Sequence, residues 1–339
     1  MTTSRTTLLA TAAAFALAAG AGAAAAQEVT LRFFLYVTAT TEIYTMVMEP
    51  WIAELEERTG GRVTVETVPA LGPPAGHFDL VANGVADIAF GVHAYTPGRF
   101  RLTEIGELPL TSNDTLVNSL AYWNTYTEML MDADEHAGVR LLGLWTNPSY
   151  QLAMDGTLLT DLDAVEGRRI RVPGTVTEKV ATTLGMVPIS STISEAYEQV
   201  SRGIIDGMFQ DYDTIFSFDL ADHLTHVSEI PGGFAHSSQF MIMNEDAYER
   251  LSEADRAVLD DMTGEALVRR FAEMWDSQRD ASYAKLLEGG MVVHEIAGDQ
   301  LAEITDMLAF IREDWIAAAE ERGVDGEAAL AFYESELAR

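Results

Sequence analysis

Two stretches of this chain, DLVANGVADIAF at 79–90 and EQVSRGIIDGMF at 198–209, share the pattern V-x-x-G-[VI]-x-D-x-x-F. Val81, Gly84, Val85, Asp87 and Phe90 of the first answer to Val200, Gly203, Ile204, Asp206 and Phe209 of the second. In each, a helix ends on a glycine fit for the left-handed cap, and a strand starts two residues later. Either two ordinary helix–strand junctions coincide, or the chain builds two lobes on one plan. The second alternative limits the fold to two similar α/β halves facing each other across a cleft, which a hinge can close on a solute.

The remaining pattern agrees with two α/β lobes. Period-two and short apolar runs predict strands at 29–37, 62–69, 86–92, 139–146, 186–190, 204–210 and 237–244. Helical spacing predicts helices at 42–59, 77–83, 114–135, 177–184 and 194–202. From Glu245 to Arg339 the pattern is helical, interrupted by the strand MVVHEI at 291–296. Strands alternating with helices argue for largely parallel sheets. No low-complexity linker divides the chain, so any hinge is a crossing between packed lobes.

Residues 1–26 read as a secretory signal: Arg5, an apolar run from Leu8 to Ala18, then small residues ending in Ala24-Ala25-Ala26. The run is too short for a membrane span, and the alternative of an uncleaved anchor meets the interruptions at Gly20 and Gly22. The expected product is an exported chain starting at Gln27, with no membrane insertion of its own. Cysteine is absent, so neither disulfides nor thiol chemistry enter. Lys and Arg number 21 against 53 Asp and Glu, a net charge of −32. That sign excludes nucleic acid and anionic lipid headgroups as partners. It also repels an approaching anion at long range, so an anion site in this chain needs a local positive group.

Catalytic motifs are missing. There is no G-x-S-x-G, H-E-x-x-H, P-loop or G-x-G-x-x-G, and no cofactor is expected. His223 and His226 form a pair without a third ligand nearby, which does not make a metal site. Carboxylates are too abundant for adjacency to signal acid–base chemistry. Gly72-Pro73-Pro74 is a rigid turn that also suits a cleft wall.

GRRIRVPG at 167–174 stands apart. Alternation sends Ile170 and Val172 to one face and Arg169 and Arg171 to the other, and Pro173-Gly174 ends the strand. Arg171 therefore sits at a strand terminus, where ligands meet loops in open α/β sheets. Spacing leaves two roles open: an ion pair with one of the many carboxylates, or a guanidinium offered to a ligand carboxylate through two parallel hydrogen bonds.

The runs DLDAVEGRRIRVPG and LGMVPISSTISEAYEQVSRGIIDGMFQ resemble the substrate-binding proteins of tripartite ATP-independent periplasmic (TRAP) transporters. Members of that family read D-L-x-G-x-K-[IL]-R-V-P at the first segment and G-x-[IV]-D-G-x-E-[NW] within the second. LGPPAGHFDLVANGVADIAF, and VSEIPGG through NEDAYERLSEADRAVL, are similar to further family segments. The resemblance implies a periplasmic two-lobed fold, no catalysis, and delivery of a captured solute to a two-part, ion-gradient-driven permease. It implies lobe I from 27–147 with 236–275, lobe II from 148–235 with 276–325, and a helical tail at 326–339. Crossing strands near 148 and 235 and a long helix after Glu245 join the lobes.

The resemblance gives Arg171 the grip on an organic acid's carboxylate. Segment matching then places Gln210, Asp211, Gln151, Tyr36, Thr38 and Pro74 around the ligand, and Phe209, with Trp145, Tyr150, Tyr212 and Phe234, either lines the site or packs in the core. Gln151, Asp211 and Gln239 resemble the set that some oxo-acid-binding members arrange around a cation, while Asp211 or Asp213 at the pocket favours an amine-bearing solute. Gln151, Pro74 and Val92 depart from the sialic-acid-binding pattern. The competing class is an exported enzyme acting on a small acid, which needs a nucleophile or base beside Arg171. A solute-sensing ectodomain is a third reading.

Overall fold

The structure is a computed structural model that describes residues 28–69 and 72–339. The expected signal segment at 1–26, Gln27, Ala70 and Leu71 lie outside the described residues.

Alternating apolar positions set up the first sheet. In β1 (Val29–Leu35), Leu31, Phe33 and Leu35 point to one core and Phe34 to another. After α1 (Glu49–Arg58) comes β2 (Val63–Pro69), parallel to β1, and after α2 (His77–Ala82) comes β3 (Ile88–Val92), also parallel to β1. α3 (Thr115–Thr125), capped by Asp114, runs on through a π-helical and a 3-10 turn to Ala133 and leads to β4 (Arg140–Thr146).

The chain then crosses into the second sheet. β5 (Gln151–Met154), β6 (Arg169–Val172), α4 (Thr175–Thr183), β7 (Val187–Ser190), α5 (Ala196–Ser201), β8 (Gly207–Gln210), α6 (Tyr212–Ser217) and β9 (His226–Glu229) follow in order. It returns to the first sheet as β10 (Ser238–Met243) and proceeds through α7 (Glu245–Glu249), α8 (Glu253–Asp261) and α9 (Glu265–Glu288). β11 (Val292–Glu295), α10 (Gly298–Leu308), α11 (Phe310–Glu321) and α12 (Gly326–Leu337) complete it.

The sheets have orders β2-β1-β3-β10-β4 and β11-β9-β5-β8-β6-β7. Both are mixed rather than largely parallel: β10 is antiparallel to β3 and β4, and β5 is antiparallel to β8 and β9. These two reversed strands are the ones that follow each crossing, and Tyr150 bridges Ala235 where the crossings meet. β5 and β9 had no separate signal in the sequence pattern; each has only four residues. α9 spans both lobes, with Leu267, Val268 and Phe271 in the first and Leu286 packed under the second.

The repeated sequence unit is a repeated structure. Gly84 and Gly203 take left-handed φ values of 70° and 64°. Asp87 accepts the Arg32 backbone N–H at 2.8 Å and its Nε at 3.2 Å, while Asp206 accepts the same two groups from Arg169 at 2.8 and 3.1 Å. Register makes Phe34, opposite Ala89, the counterpart of Arg171, opposite Met208. One plan thus serves both lobes, and the second alone has a cation at this position.

Candidate functional site

β6 carries Ile170 and Val172 into the core shared with α4, and alternation turns Arg171 to the opposite face. Its side chain is 1% exposed, the one buried Lys or Arg among the described residues. Nε donates to the Ser191 carbonyl at 3.0 Å and Nη1 to Gln210 Oε1 at 3.2 Å. Every ion pair among the described residues uses some other cation. A buried guanidinium without a carboxylate is expensive, several kcal/mol by the usual scale, in a chain with 53 carboxylates to choose from.

The alignment of that guanidinium comes from the end of β8. Gln210 Nε2 donates to Asp211 Oδ2 at 2.9 Å, which turns its oxygen toward Arg171. Asp211 is the N-cap of α6, accepting the Thr214 N–H at 2.8 Å and the Thr214 hydroxyl at 3.0 Å. Burial pushes the Asp211 carboxyl up, and the hydrogen bonds from Thr214 and Gln210 oppose that. Asp211, Gln210 and Arg171 thus form a chain in which the carboxylate acts at one remove.

Arg171 and Gln210 line a cavity between the lobes. Lobe I contributes Tyr36, Val92 and Asn147 from the ends of β1, β3 and β4, with Tyr95, Gln239 and Trp275. The position agrees with the rule that ligands meet α/β sheets at strand ends. Burial raises the Tyr36 and Tyr150 phenols, Arg171 opposing in both, so both stay protonated donors. Tyr36 stacks on Phe90 with centroids 4.6 Å apart. Burial, then the charge of Asp211, pushes the wall residue Asp213 up to about 6.

The lobes touch around this cavity. The Ile193 N–H donates to the Tyr95 hydroxyl at 3.1 Å, and the Ser217 hydroxyl donates to Glu42 at 3.1 Å. Gly174 lies so close to Ala94 that a Cβ there would stand 2.6 Å from the Ala94 Cβ.

The residues expected at the site divide into four groups. Arg171, Gln210, Tyr36, Gln239 and Tyr150 share the cavity. Thr38 and Pro74 lie on an adjoining open groove, which Tyr36 also borders. Gln151, Asp211 and Tyr212 line a different cavity beside the crossing, with Pro148 and Ser149, so Gln151 and Asp211 do not meet Gln239 around one ion. The Gln151 amide is spent on the crossing, where its Oε1 accepts the Ile230 N–H at 2.8 Å.

Phe209 is a correction. It neighbours Gln210 on a strand and so faces the other way, fully buried against Phe234 with centroids 5.4 Å apart. Phe234 is core with it. Trp145 is core too, stacked on Phe271 at 3.8 Å. Tyr95, Asn147 and Trp275 were missed. Tyr95 and Asn147 follow strand ends, a signal that was available; Trp275 is an apolar residue on a helix and has none. Among the described residues no three His, Cys, Asp or Glu side chains gather as a metal site.

Comparison with known proteins follows the same direction. The model of the bacterial extracellular solute-binding proteins, family 7, matches residues 34–317. A TRAP periplasmic solute-binding protein from Bordetella bronchiseptica, crystallised with bound (R)- and (S)-mandelate, is 34% identical. It superposes with a TM-score of 0.88 over 91% of this chain and 98% of its own. A marine-metagenome TRAP protein from an unidentified microbe, described as specific for aromatic acid ligands and crystallised with 3-hydroxybenzoate, is 26% identical. Its TM-score is 0.86, over 92% of this chain and 98% of its own. A curated relative, the outer membrane transporter protein TsaT of Comamonas testosteroni, is 28% identical over 86% of this chain and 87% of its own.

Proposed function

Because this chain belongs to the bacterial extracellular solute-binding proteins, family 7, the soluble receptors of TRAP transporters, we propose that it captures a small aromatic monocarboxylic acid between its lobes, with Arg171 as the counter-charge. The observation that carries this reading is the buried guanidinium with no carboxylate partner, held by Gln210 at the wall of an inter-lobe cavity. Its planar fork matches a carboxylate with two charge-assisted hydrogen bonds. The aromatic part of the reading rests on the walls Tyr36, Tyr95, Tyr150 and Trp275 and on the ligands of the two relatives.

Binding and closure are one event in this account. Lobe II offers Arg171 and Gln210, lobe I offers Tyr36, Asn147 and Gln239, and only the closed state touches the solute from both sides. The ligand therefore shifts the population toward closure. A micromolar dissociation constant corresponds to about −8 kcal/mol, of which one desolvated bidentate pair supplies a few. The closed form then docks on the membrane subunits of an ion-gradient-driven permease in the periplasm. The chain acts as a receptor and leaves the acid unchanged.

A thermal-shift panel of mono- and dicarboxylates, oxo acids and small amines tests the reading. An aromatic monocarboxylate at about 100 times its dissociation constant adds ~2.7 kcal/mol and raises the melting temperature. No shift with any carboxylate, or the same shift in Arg171→Ala, contradicts it.

A further inference from the structure

Two residues on the lobe I side of the cavity each hold a polar atom with nothing to bond. Gln239 is 3% exposed and Trp275 6% exposed, and both side chains line the cavity. Gln239 Nε2 donates to Asn147 Oδ1, whereas Gln239 Oε1 has no partner. Trp275 Nε1 has none either. Buried polar groups are almost always satisfied, and each that is not costs on the order of 1–3 kcal/mol. One orphan is an acceptor and the other a donor, and both belong to lobe I residues of the cavity.

The chemistry of these two atoms restricts what reaches them. An ammonium group satisfies Gln239 Oε1 but has no lone pair for the indole N–H. A second carboxylate accepts from the indole but gives Gln239 nothing, and it shares the cavity with Glu42 and Asp213. A bare ring edge leaves both atoms unpaired. A hydroxyl donates and accepts and is neutral, so it serves both. The exclusion of a carboxylate depends on Oε1 being the free atom of the Gln239 amide, the orientation set by donation from Nε2 to Asn147 Oδ1.

We propose that Gln239 and Trp275 are specificity-determining residues that select an aromatic acid carrying a ring hydroxyl remote from its carboxylate. This rests on the reading of Arg171 as the carboxylate site and adds a second anchor on the other lobe. The ligand becomes a two-point bridge: its carboxylate holds lobe II and its hydroxyl holds lobe I. An acid without the hydroxyl closes the cleft over two unsatisfied groups.

Calorimetric titration separates the two claims. The ligands are benzoate and phenylacetate, the ring-hydroxylated isomers of each, and 3-aminobenzoate, with wild type, Gln239→Leu and Trp275→Phe. At least one hydroxylated isomer binds wild type about tenfold or more tightly than its parent acid. The ratio of hydroxylated to parent affinity falls toward one in each variant, a readout that general loss of packing does not mimic. If no hydroxylated isomer outbinds its parent, or if the ratio is kept in both variants, the second anchor is wrong while carboxylate capture stands. A tighter 3-aminobenzoate complex overturns the hydroxyl in favour of an amine. If no acid binds wild type at all, the Arg171 reading falls as well.

Discussion

A cation with 1% exposure and no anion beside it makes the folded chain less stable than an apolar side chain of similar size would. Arg171→Leu is therefore expected to keep or raise ligand-free stability in urea melts while weakening binding of the acid at least a hundredfold. A loss of several kcal/mol in the ligand-free variant would show the guanidinium to be structural. Arg171 was legible in the sequence because alternation and the Pro173-Gly174 stop place it at a strand end. Gln210 came from segment matching, and its role in aligning Arg171 through Asp211 needed coordinates. Asp211 was expected to face the solute; instead it caps α6, because its side chain bonds locally to the Thr214 N–H. Trp275 was invisible, since a tryptophan at helical spacing reads as core whether or not it borders a cavity.

At the level of elements, β10 brings Ser238 into a buried polar string beside the site. Ser238 donates to Glu107 at 2.6 Å and meets His93 Nδ1 at 3.1 Å; His93 Nε2 meets His136 Nε2 at 3.0 Å, and His136 Nδ1 meets the Tyr126 hydroxyl at 2.6 Å. Burial pushes Glu107 from its ordinary 4.5 up to about 8. The folded state then keeps a proton that the unfolded chain releases, so this contribution is full below about pH 4.5 and is lost toward pH 8, by up to about 1.4 kcal/mol per unit. Burial acts oppositely on the histidines, pushing His136 down to about 3 and His236 to about 4. Their contribution is full above their ordinary 6.5 and is lost as the pH falls. Denaturant melts of Glu107→Gln should lose the decline in stability between about pH 6.5 and 8, where the histidine contribution is already full, and keep the acid limb; an unchanged decline would place its cause elsewhere. The long strands and the duplicated helix–glycine–strand units were readable because periodicity and capping are local. β5 and β9 were not, because four residues bounded by the crossings take their pairing from tertiary contact, and the antiparallel pairing of β5 and β10 follows from those crossings rather than from their composition.

The whole molecule behaves as two copies of one plan that share α9 and meet over the cavity that Arg171 lines. Closure depends on small residues at the seam. Gly174→Val puts a side chain where even a Cβ comes within 2.6 Å of Ala94, so it holds the lobes apart without touching the cavity wall. Ligand affinity should fall about tenfold or more while the fold is retained, and small-angle scattering should show less compaction on adding ligand. Unchanged affinity would mean that closure does not run through this contact. The central claim, that Arg171 is the counter-charge of a bound acid, meets its most direct test in a crystal structure of the protein with the tightest-binding aromatic acid of the panel. The account predicts a carboxylate with both oxygens about 2.7–2.9 Å from guanidinium nitrogens of Arg171, and the ring between Tyr36 and Gln239. A carboxylate held elsewhere, or Arg171 turned onto an Asp or Glu of the protein, would contradict it.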